Sequence, residues 1–194
     1  MLSNQISAFE YVSILVSIIL GLGITQILSV VSDLVFDTPK VKFYFPHTVW
    51  VVFLLFLHIQ DWFITYQLKD IPVWYLPELF FILSYPVLLF VLSKVITPQE
   101  DDVDRTDLKT YYYRRYPTIF GLMGGSVLLS ILFNTYLLKL SLTDQWPLTV
   151  FLALLLGLMR FKTQKEAVHM AFAMLLILGV GTAIWLERFN WVIR

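Results

Sequence analysis

The sequence predicts an all-α, polytopic membrane protein: a single integral domain, residues 1–194, built as a bundle of six transmembrane helices. Three observations carry that expectation. Of the 194 residues, 58% are hydrophobic and only 14% charged, against about 45 to 50% apolar and about 25% charged in soluble domains. Mean hydropathy is +0.75. The apolar residues also gather in runs close to the roughly 20 needed for a helix to cross about 30 Å of hydrocarbon, divided by short segments that hold most of the ions.

The runs fall at 8–34, 47–67, 73–96, 117–138, 146–160 and 166–188. Ser7 and Glu10 open the first with the spacing of a capping box, in which two side chains satisfy orphan amides of the first turn. Its leading residues, "MLSNQISAFEY", have neither the basic segment nor the small-residue cleavage site of a removable signal peptide. This run is therefore expected to be a retained anchor. The second, third, fourth and fifth runs carry Pro46, Pro77, Pro117 and Pro147 at or near their first turns, where a missing N–H costs nothing. Pro86, midway along the third, should kink it and free a carbonyl. The fifth run is short, about 15 residues, and could cross with little tilt, borrow flanking residues or be re-entrant. Thr163 and Glu166 give the sixth a second capping-box spacing.

Basic residues set the expected orientation. Lys40 and Lys42 lie in the first loop, Lys94, Arg105, Lys109, Arg114 and Arg115 in the third, and Arg160, Lys162 and Lys165 in the fifth; the second and fourth hold only Lys69 and Lys139. An excess of Lys and Arg marks cytoplasmic loops, so these three are expected inside and both termini outside, with Arg188 and Arg194 as contrary charges. Trp50, Trp62, Trp74, Tyr75, Trp146, Trp185 and Trp191 fall near span ends, as an interfacial aromatic belt would. The polar stretch "TPQEDDVDRTDLKTYYYRRYP" gives a cytoplasmic loop at 97–116. It reads as solvated, with docking of a cytoplasmic partner as the lesser alternative, and its basic, aromatic end suits the inner leaflet.

Helices in lipid associate through close backbone approach and hydrogen bonds between helices. Ser13, Ser17, Gly21, Thr25 and Ser29 recur every four residues on the first span, and Gly121 and Gly125 begin a similar face on the fourth, followed by Ser126, Ser130 and Asn134. These faces should make buried contacts, with each other or across a homo-oligomer interface. "FPHTVWVVFLLFL" at 45–57 also aligns with "WPLTVFLALLLGL" at 146–158, a weak sign of a three-plus-three inverted repeat.

Ionisable groups deep in a bilayer cost at least about 2.5 to 3.5 kcal/mol for Asp, so each is a candidate site. His58 and Asp61 lie three residues apart on nearby faces of the second span, in its outer half. They could pass protons, bind a cation or hold a polar solute; a structural hydrogen bond between helices is the plainer alternative. Glu10, Glu78, Asn134 and Tyr85 could converge on them from three other spans, although helix capping accounts for Glu10 and a first-turn dipole effect for Glu78. Such a set could relay protons or ligate a divalent metal; no cofactor is otherwise expected. His169 is most simply an interfacial, solvated residue. With no cysteine, thiol chemistry and disulfides are excluded, and zero net charge gives no hint of nucleic acid. The chain lacks HExxH, GxSxG and phosphate-loop signatures, so catalysis is not expected.

"AFEYVSILVSIILGLGITQIL" at 8–28 and "VKFYFPHTVW" at 41–50 resemble the opening of a group of uncharacterised bacterial multi-span membrane proteins. The likeness covers roughly the first 70 residues. It implies a bacterial inner membrane and transfers no activity or site residue. The function expected from the residues is transport, conduction or sensing of a small cation, proton or polar solute; the rivals are a partner-recruiting membrane subunit and, third, an intramembrane enzyme.

Overall fold

Backbone amides in hydrocarbon have no water to bond, so an apolar run satisfies them internally as a helix. Six α-helices do this in the computed structural model, which describes residues 7–36, 40–71, 73–103 and 105–187. They are α1 (Ala8–Phe36), α2 (Phe45–Thr65), α3 (Leu76–Ile96), α4 (Leu108–Tyr136), α5 (Trp146–Phe161) and α6 (Glu166–Glu187), with a 3₁₀ turn, Tyr66–Asp70, after α2. Five are long and apolar enough to cross a membrane; α5, with 16 residues and about 24 Å of rise, is shorter. Arg188, Trp191 and Arg194 lie outside the described residues.

The N-termini of α2, α4 and α6 meet at one end of the bundle, where Tyr44 faces Tyr113 and Tyr112 faces His169. All the ion pairs among the described residues lie at this same end, and several tie separate elements together. Arg105 reaches Asp33 (3.6 Å), Lys42 reaches Asp107 (3.9 Å) and Lys109 reaches Glu166 (2.7 Å). Lys42 also pairs by backbone with the start of α4, donating to Thr106 O and accepting from Leu108 N. Glu166 thus serves an ion pair rather than the capping box expected with Thr163.

α2 sits centrally against α1, α3, α4 and α6; α1 packs on α3, α3 on α4, and α4 on α5. No seam comparable to α3–α4 joins α6 to α1, as a strict three-plus-three repeat would require.

Residues buried on α1 are Val12, Val16, Leu20, Gly23, Ile27 and Leu34. Ser13, Ser17 and Gly21 are half-buried and Thr25 is exposed, so the small-residue stripe flanks the seam instead of forming it. Trp62 Nε1 donates to Ser17 Oγ at its edge (3.2 Å). On α4 the small face seats α5 and α3: a Cβ on Gly121 would stand 3.4 Å from Met159, and one on Gly125 would stand 3.5 Å from Leu88. The α1 and α4 faces do not pair with each other within the chain.

Three features differ from the sequence expectation. α4 begins at Leu108, so the connector spans 97–107 and Pro117 lies inside the helix. Asp107 caps it, accepting from Thr110 N (3.1 Å), and Leu108, Tyr111, Tyr112 and Tyr116 continue the buried face of Ile119, Phe120 and Met123 at helical spacing. The tyrosines expected on the leaflet surface therefore belong to the core. Trp50, expected in the interfacial belt, is fully buried among Phe53, Phe120, Phe151 and Phe172. His169, expected to be solvated, is fully buried as well.

Gly23 is where α1 meets the His58 ring, and a Cβ there would collide with the imidazole. Gly23→Ala is expected to destabilise the bundle by about 1 to 3 kcal/mol through overpacking. Gly21→Ala, with open space around it, should be neutral or gain up to about 1 kcal/mol of helix propensity. Thermal unfolding in detergent would read the contrast; equal melting temperatures would refute the close approach.

Candidate functional site

His58 and Asp61 are separated by about 60° around α2, and the structure sends them to different neighbours. The His58 ring is fully buried between α1 and α3. Its Nδ1 donates to Leu54 O (2.7 Å), and its Nε2 lies 3.3 Å from Ser93 Oγ, whose single proton is shared between Nε2 and Leu89 O (3.0 Å). Both nitrogens are thus engaged with the protein itself.

Asp61 faces the other way, into a cavity of about 610 Å³ bounded mainly by α2, α3, α4, α5 and α6. Tyr85 from α3 and Asn134 from α4 line it too, with Gln60, Ser126 and Ser130 adding polar atoms to an otherwise aliphatic and aromatic wall. Asp61 is the only carboxylate among the described lining residues. Its side chain has no hydrogen-bond or ion-pair partner among them, and it lies within electrostatic reach of Tyr85.

Depth follows from helical rise. Asp61 is about 24 Å along α2 from the end where the ion pairs gather, and Asn134 is within about 3 Å of the far end of α4. The cavity therefore occupies the half of the bundle away from the basic loops.

Glu10 and Glu78 do not line this cavity. Glu10 accepts from Ser7 N (2.7 Å) while Glu10 N donates to Ser7 Oγ (3.1 Å), the reciprocal bonds of a capping box. Glu78 accepts from Tyr75 N (3.3 Å) at the start of α3. Of the six residues expected to converge, Asp61, Tyr85 and Asn134 share the cavity, while His58, Glu10 and Glu78 act elsewhere. Among the described residues no three His, Cys, Asp or Glu side chains come close enough to hold a metal ion.

A second polar cluster escaped the sequence reading. Tyr112 Oη donates to His169 Nδ1 (2.8 Å), and His169 Nε2 donates to Thr163 O (2.9 Å). His47 Nε2 donates to Ile96 O (2.8 Å), Tyr111 Oη to Val95 O (2.7 Å), and the hydroxyls of Tyr44 and Tyr113 share a bond of 2.9 Å. These bonds join α2, α3, α4 and α6 at the basic end, and the polar side chains are internally satisfied. The signal in the sequence was the helical spacing of the tyrosines behind the Asp107 cap.

Comparison with protein-family models, with curated proteins and with solved structures finds no match. The site's chemistry therefore rests on its own geometry.

Tyr112→Phe would leave His169 Nδ1 buried without its donor, a loss of about 1 to 3 kcal/mol. The variant should melt lower in detergent than wild type. An unchanged melting temperature would mean that the hydroxyl does not reach the ring.

Proposed function

We propose that this multi-pass protein transports, conducts or senses a small cationic or hydrogen-bond-donating solute held at Asp61. One observation carries the reading: a carboxylate without a partner faces a cavity in the apolar part of the bundle. Burying an ionised carboxylate in such surroundings is costly unless a positive charge or donors approach it. A guest would supply what the protein withholds. Tyr85 and Asn134 are the other candidate contacts, with Ser126 and Ser130 along the wall.

Sidedness follows from charge. By the positive-inside tendency we assign the basic loops to the cytoplasm, the cavity to the outward half, and both termini to the outside of a bacterial inner membrane. We take α5 as a sixth crossing.

A second reading, a membrane subunit without transport, is favoured by the α1 stripe, where no atom lies within 4 Å of a Cβ on Gly21. A second copy of the chain, or another helix, could close on that face, and the 97–107 connector could engage a cytoplasmic partner.

Proteoliposomes separate the two. Protons, sodium, magnesium and ethidium are the probes, driven by an imposed membrane potential. At least one should cross about tenfold faster through wild type than through Asp61→Asn, the effect expected from removing one half-buried counter-charge. Equal rates for all four in wild type, Asp61→Asn and empty vesicles, together with loss of a complex on Gly21→Leu, would establish the subunit reading instead.

A further inference from the structure

A lone carboxylate accepts protons, metal ions and amines alike, but the walls around Asp61 discriminate among them. Resting on the reading of the cavity as a solute site, we infer that its ligand is a hydrophobic organic cation: an ammonium or phosphonium carrying a bulky apolar body, admitted sideways from the lipid between α5 and α6.

Size argues first. A cavity of about 610 Å³ lies within the range of about 300 to 1,000 Å³ that holds drug-sized molecules, far beyond what a bare ion fills. Ligand number argues second. Calcium takes six to eight oxygens and magnesium demands a near-octahedral shell, whereas Asp61 is alone and no three candidate ligands cluster among the described residues.

The wall supplies the third argument. Phe56, Phe133, Phe151 and Tyr85 surround the cavity, and aromatic faces attract cations whose charge is spread over an organic body. A small hydrated ion would lose its water there and gain little in return. A greasy cation loses little water and buries its body against the same rings, with Asp61 meeting its charge.

Access is the fourth. α5 and α6 both wall the cavity but form no extended seam with each other; Phe151 and Phe172, 6.0 Å apart, touch across the gap. Trp146, Leu154 and Leu175 are lining residues that are also exposed, so the mouth opens on the side of the bundle where acyl chains would lie. A ligand already dissolved in the membrane needs no aqueous route.

The test uses the full chain in phosphatidylethanolamine–phosphatidylglycerol nanodiscs, with tetraphenylphosphonium as probe and equilibrium dialysis against protein-free discs as baseline. Wild type should bind one equivalent above baseline, and Asp61→Asn should bind about tenfold more weakly, the loss of one desolvated charge contact. Ser130→Leu, which keeps the carboxylate and fills cavity space, should weaken binding as well, so the outcome does not hang on one variant's folding. Tetraphenylborate, the same body with the opposite charge, dialysed on its own in place of the probe, should bind no more than to protein-free discs, and millimolar sodium or magnesium should not displace the phosphonium. Binding no greater than in protein-free discs, or equal binding to wild type and both variants, would overturn the inference. If that happened while a small cation still crossed vesicles in an Asp61-dependent manner, the ligand class alone would be wrong. If neither result depended on Asp61, the solute-site reading would fall with it.

Discussion

A polar group inside an apolar solvent must find a partner within the protein, and that constraint organises this molecule. Backbone amides meet it by forming helices. Buried side chains meet it by bonding to nearby carbonyls and hydroxyls: His47 to Ile96, His58 to Leu54, Tyr111 to Val95, Ser93 to Leu89, and His169 to Tyr112 and Thr163. The buried atoms left without a direct partner, such as Trp74 Nε1 and Gln145 Oε1, belong to neutral groups. Asp61 is different because it can carry a full charge and because it faces open space.

The same constraint divides the bundle into two halves. At the basic end, aromatic rings, imidazoles and ion pairs lock α2, α4 and α6 together and fix the connectors between α1 and α2 and between α3 and α4. At the other end the cavity lies between α2, α3, α4, α5 and α6, walled mainly by aliphatic and aromatic side chains.

Much of the fold was legible in the sequence, because length and apolarity alone determine where a chain can become a membrane helix. What composition could not supply was direction around each helix. The three-residue spacing of His58 and Asp61 left their roles open; only the positions of Gly23 and Ser93 show that His58 is a packing element. Gly21 and Gly23 are both small, yet a Cβ would collide only at Gly23, a distinction that depends on the neighbouring helix. The start of α4 was obscured because Lys109, Arg114 and Arg115 give its first turns a polar average, although the tyrosines between them face inward. Glu10 and Glu78 were the reverse case. Their local capping explanations were visible in the sequence, and local bonds hold them in the structure.

Because the chain has no cysteine, Ser130→Cys would place a single reactive thiol in the cavity. The most direct measurement compares its reaction, in proteoliposomes, with two lipid-partitioning thiosulfonate reagents that share one aromatic body, one cationic and one anionic, each rate taken relative to a small free thiol in the same vesicles. An unpartnered carboxylate beside an accessible cavity predicts that the cationic reagent reacts about tenfold faster than the anionic one, with the preference abolished by Asp61→Asn. A thiol that reacts with neither reagent, or a charge preference that survives Asp61→Asn, would contradict the account.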